Sequence, residues 1–196
     1  MATLLYRAAR RLLQGAFWCM GGLQTLGAEN MPPDGPLIVA CNHASYLDPM
    51  LMGAAFTRDF HFLARRTLFD NPLFGWLIRQ TQAFPLDRGG DSRDALRQFG
   101  ALLAQNRAVL LFPEGTRTRN GEVGKFKKTF AILAKELGVK IVPVRIDGAY
   151  DAWPRTRMFP RCRKVAVTYL PAIEPQGSET YDQLAERVRQ AVAGTK

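Results

Sequence analysis

The sequence predicts an α/β fold: one domain with a mostly parallel, open sheet flanked by helices, preceded by an amphipathic helix at the amino end. Three observations carry this. Short apolar runs recur at 37–41, 60–64, 83–86, 109–112, 141–146 and 165–170, each the length of a buried strand. Helical periodicity separates several of them, most clearly over 91–105, where Ala95, Leu96, Phe99, Leu102 and Leu103 share one face. At 196 residues, with 47% hydrophobic and 22% charged residues, the chain can bury one real core but not two ordinary ones.

The elements follow in order. Wound as a helix, the first 26 residues place Arg7, Arg10, Arg11 and Gln14 on one face and Leu5, Ala8, Leu12, Ala16 and Met20 on the other. The apolar run is interrupted by Gln14, Gln24 and Gly21-Gly22, so a helix lying at an interface is expected in preference to a span. Residues 1–26 are therefore read as a membrane-associating segment and 27–196 as the α/β domain. Met50 to Phe56 is helix-compatible, with Asp48 and Pro49 as a natural start. Phe130 to Leu137 stops at Gly138, and Ser178 is expected to cap a last helix with Tyr181, Leu184, Ala185, Val188, Ala191 and Val192 inward.

The formal net charge of +10 and a pI near 10.0 imply an anionic partner. Basic residues gather at Arg117, Arg119, Lys125, Lys127 and Lys128, and again at Arg155, Arg157, Arg161, Arg163 and Lys164. Neither cluster has the aromatic interleaving of a single-strand-binding surface, and no helix-turn-helix or zinc-finger spacing is present, so nucleic acid is not the expected partner. Gly124-Lys125 is not a phosphate loop, because Arg119 and Phe126 stand where that motif needs Gly and Ser or Thr. Cys19, Cys41 and Cys162 are too far apart for a disulfide framework or a metal cluster, which points to a reducing compartment and no metal.

Chemistry concentrates in two stretches. Asn42-His43-Ala44-Ser45-Tyr46-Leu47-Asp48-Pro49 follows a strand, and an imidazole at a strand end is well placed to act as a base. The turn between can fold Asp48 back onto His43, to orient the ring and stabilise its protonated form; the alternative is that Asp48 simply caps the next helix. Phe112-Pro113-Glu114-Gly115-Thr116-Arg117 has the same layout, with Gly115 permitting a special backbone and Arg117 offering a planar fork suited to phosphate. Cys41 and Ser45 are the alternative nucleophiles beside His43.

With both stretches complete, the chain resembles the glycerolipid acyltransferases, whose hallmarks are a His-x4-Asp box and a Phe-Pro-Glu-Gly-Thr-Arg box. Ala83-Phe84-Pro85-Leu86-Asp87-Arg88 looks like a further family block and Ile141-Val142-Pro143-Val144 like another. Gln82 departs from the Gly that many members carry before the second block, and Thr129 from a Gly common after Phe126-Lys127-Lys128. The resemblance implies transfer of a fatty acyl group from acyl-CoA or acyl-carrier protein to the free hydroxyl of a lysophospholipid, foremost 1-acyl-glycerol-3-phosphate, at the cytoplasmic face of a membrane. It implies His43 as base with Asp48, Arg88 and Arg117 on the acceptor phosphate with help from Lys127, and no cofactor beyond the co-substrate. Glu114, Gly115 and Thr116 would shape the loop or orient the acceptor, and Pro143 an apolar wall. A thioesterase or lipid hydrolase would use the same pair with water.

Overall fold

A computed structural model describes residues 4–56, 58–72, 75, 78–79, 82–86 and 92–195. Seven strands form one sheet: β1 (Leu23–Leu26), β2 (Leu37–Cys41), β3 (Phe60–Arg65), β4 (Ala83–Leu86), β5 (Ala108–Leu111), β6 (Ile141–Asp147) and β7 (Val165–Tyr169), in the order β1-β7-β6-β2-β5-β3-β4. Every neighbouring pair is parallel except β6 with β7. The described helices are α1 (Leu4–Cys19), α2 (Asp48–Ala55), α3 (Ser92–Ala104), α4 (Thr129–Leu137), α5 (Ala149–Ala152) and α6 (Tyr181–Gly194). The expected single α/β domain with a mostly parallel sheet is what the chain forms.

The unbroken apolar run of β2 follows from its place. It lies between β6 and β5, and all five residues are fully buried because helices cover both faces. Leu37, Val39 and Cys41 join one core with Leu51, Met52 and Ala55 of α2 and Phe17 of α1; Ile38 and Ala40 join the other with Phe99 of α3, Phe130 and Ala134 of α4, and Leu184 and Val188 of α6. Each large side chain buried there is worth about 1.5–3 kcal/mol.

The windings position the site. From β2 the chain crosses to β3 through α2 on one face, whereas from β5 it crosses back to β6 through α4 on the other. Opposite directions with opposite faces keep the crossovers of one hand. Since β2 and β5 are neighbours, their departing loops part and leave a crevice at the carboxyl ends of the strands.

Three details differ from the sequence expectations. Residues 23–26, grouped with the amino-terminal segment, form edge strand β1 on β7. The last helix is capped by Thr180 and not Ser178: the Thr180 hydroxyl accepts the Gln183 N–H and the Gln183 side chain accepts the Thr180 N–H, a capping box. The expected faces of α1 are also partly exchanged, for Phe17 is in the core and Met20 packs against it, while Arg10 and Gln14 donate to the Ala54 carbonyl that ends α2. Polar side chains turn inward there because a helix end leaves carbonyls without partners. No helix among the described residues is long and apolar enough to cross a membrane.

Gln82 has φ 62°, the left-handed region that costs a side-chain-bearing residue about 1–2 kcal/mol. Its N–H donates to Arg79 and its carbonyl accepts from Phe62, so the turn into β4 is tied in that conformation. Glycine adopts it freely. Gln82→Gly should therefore raise stability by about 0.5–1 kcal/mol after the entropy glycine adds to the unfolded chain. A thermal unfolding midpoint that falls would contradict this reading of the turn.

Candidate active site

Beyond Cys41 the chain leaves the sheet, and the departure is held by Asn42. Its buried side chain donates to the Ile146 carbonyl and accepts the Ile146 N–H, at 3.0 and 2.7 Å, replacing a rung of the β2–β6 ladder. His43 stands next, its backbone gripped by the loop after β5. The His43 N–H donates to Glu114 Oε1 at 2.9 Å, and its carbonyl accepts the Thr118 N–H at 2.8 Å.

The side chain of His43 meets Asp48, with Nδ1 and Oδ2 2.7 Å apart. Asp48 is fully buried, and the same oxygen accepts the N–H groups of Ala44 at 2.6 Å and Ser45 at 2.8 Å. Asp48 opens α2, yet the N-cap is Leu47; the carboxylate turns back into the loop, away from a capping role. An anionic acceptor on Nδ1 fixes the tautomer that carries its proton there and leaves Nε2 with the free lone pair. The ring stacks on Phe112 at 4.3 Å between centroids and 24° between planes, and retains 19% side-chain exposure. The imidazole is thus held by packing on one side and open on the other.

Both alternative nucleophiles are committed elsewhere. Ser45 is buried; its hydroxyl donates to the Trp153 carbonyl at 2.7 Å and accepts the Leu47 N–H at 3.1 Å. Cys41 is buried, and loss of solvent, reinforced by the nearby Asp48 and Glu114 charges, pushes its thiol well above its ordinary value.

Glu114 bridges two loops, taking the His43 N–H on Oε1 and the Gly124 N–H on Oε2 at 3.2 Å. Burial raises its carboxyl above the ordinary 4.5, against those two hydrogen bonds, which lower it. Gly115 turns with φ 70°, and the Lys127 ammonium lies so close over it that a Cβ would sit 2.9 Å from Nζ. Thr116 is exposed, and Lys127 also binds the loop through its N–H to the Pro113 carbonyl at 3.0 Å. The Arg117 guanidinium lies over the Tyr46 ring, 3.5 Å from its centroid, which brings a cation beside the His43–Asp48 turn.

The crevice thus gathers His43, Asp48, Glu114, Gly115, Thr116, Arg117 and Lys127. Pro143 is placed differently: it is buried in β6 opposite Ala40, and its carbonyl accepts the Leu170 N–H just past the end of β7. Arg88 lies outside the described residues. Sequence reasoning did not find Tyr46 and Trp153, whose rings are 5.3 Å apart. The only signal was their aromatic character, and no spacing links a residue at 46 with one at 153.

A buried carboxylate thus orients an imidazole in a crevice at the carboxyl ends of the strands, the region where open α/β sheets collect ligands. Residues 23–147 match the acyltransferase family model, and the chain belongs to that family. A 1-acyl-sn-glycerol-3-phosphate acyltransferase of Chlamydomonas reinhardtii is 33% identical over 175 residues, covering 87% of this chain and 52% of that protein. That of Bacillus subtilis is 27% identical over 145 residues, 74% of this chain and 72% of its own length. The chain therefore spans little more than half of the algal relative. The crystal structure of the 1-acyl-sn-glycerophosphate acyltransferase of Thermotoga maritima superposes with a TM-score of 0.82 at 27% identity, over 96% of this chain and 77% of that one.

Two outcomes are expected. His43→Ala should fold normally and lose at least about a hundredfold in turnover, the lower end of general-base assistance. Asp48→Asn should keep more activity than His43→Ala: Oδ1 has no hydrogen-bond partner among the described residues, so an amide nitrogen in its place breaks no bond seen there while the other oxygen goes on orienting the ring. Steady-state rates with circular dichroism distinguish these cases; an alanine variant within tenfold of the parent removes His43 from the base role.

Glu114→Gln is informative through pH. A carboxyl whose folded pKa is raised adds stability that is complete below its unfolded pKa and disappears as pH rises through the folded one. The parent's advantage over Glu114→Gln in thermal unfolding should therefore be largest in acid and shrink as pH rises through and above 4.5. An advantage that grows over that interval would mean that the hydrogen bonds outweigh burial.

Proposed function

We propose that this chain transfers a fatty acyl group from an acyl thioester to the free hydroxyl of a lysophospholipid, foremost 1-acyl-glycerol-3-phosphate, yielding phosphatidic acid. The single observation that carries the reading is the His43–Asp48 pair at 2.7 Å, with Nε2 left for substrate. The names of the relatives supply the acceptor class.

In this mechanism the acceptor oxygen attacks the thioester carbonyl as Nε2 of His43 removes its proton. The Asp48 carboxylate stabilises the imidazolium that forms. As the intermediate collapses, the carbon–sulfur bond breaks and the departing sulfur takes the proton back from Nε2. The acyl group passes directly to the acceptor, in keeping with the engaged hydroxyl of Ser45 and the buried thiol of Cys41. Arg117 and Lys127, both on the loop after β5, supply cations for the acceptor phosphate, with Arg88 as a further candidate; Glu114 and Gly115 hold that loop in shape. The donor is acyl-CoA or acyl-carrier protein, and no cofactor is required. The enzyme works as a peripheral protein on the cytoplasmic face of a membrane, where a soluble thioester and a lipid acceptor meet.

Release of thiol from acyl-CoA, measured with a panel of lysolipid acceptors, tests the function directly. Thioester consumption that does not depend on an acceptor would make the protein a hydrolase. For the phosphate contact, Arg117→Lys keeps the charge and loses the planar fork, so the acceptor KM should rise by about tenfold or more with little change in the donor KM. Equal changes in both constants would remove Arg117 from the acceptor site.

A further inference from the structure

Between α5 and β7 the chain makes a loop, 153–164, that none of the chemistry above uses. At its tip Met158 and Phe159 are 79% and 70% exposed, adjacent to one another and unsupported by the core. Arg155, Arg157, Arg161, Arg163 and Lys164 flank them, and no acidic residue occurs between Asp151 and Glu174.

The loop is built, not frayed. Its base closes where the Arg161 N–H donates to the Ala152 carbonyl at 2.8 Å, and its ascending arm is held by Arg157 N–H to Pro154 and by the Trp153 indole N–H to the Arg157 carbonyl, both at 3.1 Å. An apolar pair held out in water by hydrogen bonds costs free energy unless something covers it. A tip with cations around an apolar point matches an anionic lipid surface in both respects: side chains that enter the acyl boundary and charges that meet headgroups.

Its placement adds a second argument. The Trp153 carbonyl at its base accepts the Ser45 hydroxyl, and the Trp153 ring packs against Tyr46, so the loop stands on the turn that carries His43. On its other side Gly21 approaches the Arg163 backbone so closely that a Cβ would lie 2.7 Å from the Arg163 carbonyl carbon, and the Val165 N–H donates to the Gly22 carbonyl. That joins the loop to the end of α1, where Trp18 is 78% exposed.

We infer that the Met158–Phe159 loop is a lipid-docking element that inserts into anionic membrane and, through Trp153, holds the His43 crevice against the bilayer surface. This deepens the proposed peripheral location and rests on it for the choice of lipid as occupant.

The test uses the full chain and phosphatidylcholine vesicles with and without phosphatidylglycerol. Met158→Ser with Phe159→Ser should weaken co-sedimentation by at least about tenfold, and Arg155→Gln with Arg161→Gln should weaken it only on the anionic vesicles and only at low salt. Because Cys41 is buried and Cys19 and Cys162 are exposed, Phe159→Cys in a Cys19→Ser, Cys162→Ser background accepts a polarity-sensitive fluorophore at the tip. Its emission should shift to the blue when anionic vesicles are added. An unshifted probe, or serine variants that sediment like the parent, would overturn the inference. So would a concentration-dependent dimer that the serine changes abolish, which would assign the tip to a second copy of the chain. Acyl transfer to a short-chain, water-soluble acceptor without vesicles should be the same in parent and serine variants; its absence from both would count against the proposed reaction while leaving the vesicle result intact.

Discussion

A carboxylate taken out of water must find donors, and Asp48 finds three on one oxygen: the His43 ring and the N–H groups of Ala44 and Ser45. These contacts close the turn after β2 and set where α2 begins, since Asp48 is its first residue. The far end of α2 is in turn held by Arg10 and Gln14 of α1 at Ala54. One buried charge therefore links the end of the central strand, the first crossover helix and the orientation of the imidazole, so that local folding and the site are the same event.

The second loop completes the arrangement from the other side. Glu114 and Thr118 hold the His43 backbone through its N–H and its carbonyl, and Phe112 supports the ring. None of these contacts involves a bound ligand. The crevice is thus preorganised in the empty protein, with its cations, Arg117 and Lys127, on the loop that grips His43.

Much of this was legible in the chain. The central strands announce themselves because burial on both faces writes Leu37 to Cys41 as a continuous apolar run, and the five-residue interval from His43 to Asp48 survives translation into a hydrogen bond because both lie in one local turn. Strand β1 was hidden: as an edge strand it keeps Gln24, Thr25 and Leu26 exposed, with neither an apolar run nor alternation to mark it. The cap of the last helix was misplaced by two residues because Ser178 and Thr180 are both good caps, and only Thr180 has Gln183 three residues on. The inward turn of Arg10 was invisible because it answers a carbonyl 44 residues away. Long-range partners such as Trp153 for Ser45 leave no trace in spacing.

The amide of Asn42 has one more implication. By occupying both polar groups of Ile146 it ends the β2–β6 ladder with a clasp at the point where the chain leaves β2. On the other side β2 is in register with β5, so His43 emerges from a strand fixed along both edges. Strands β3 and β4 lie beyond β5 and touch neither clasp nor register. Mechanically, the sheet is a stiff centre with an outboard wing: a change in the length or composition of the wing leaves the strand that carries His43 held along both edges.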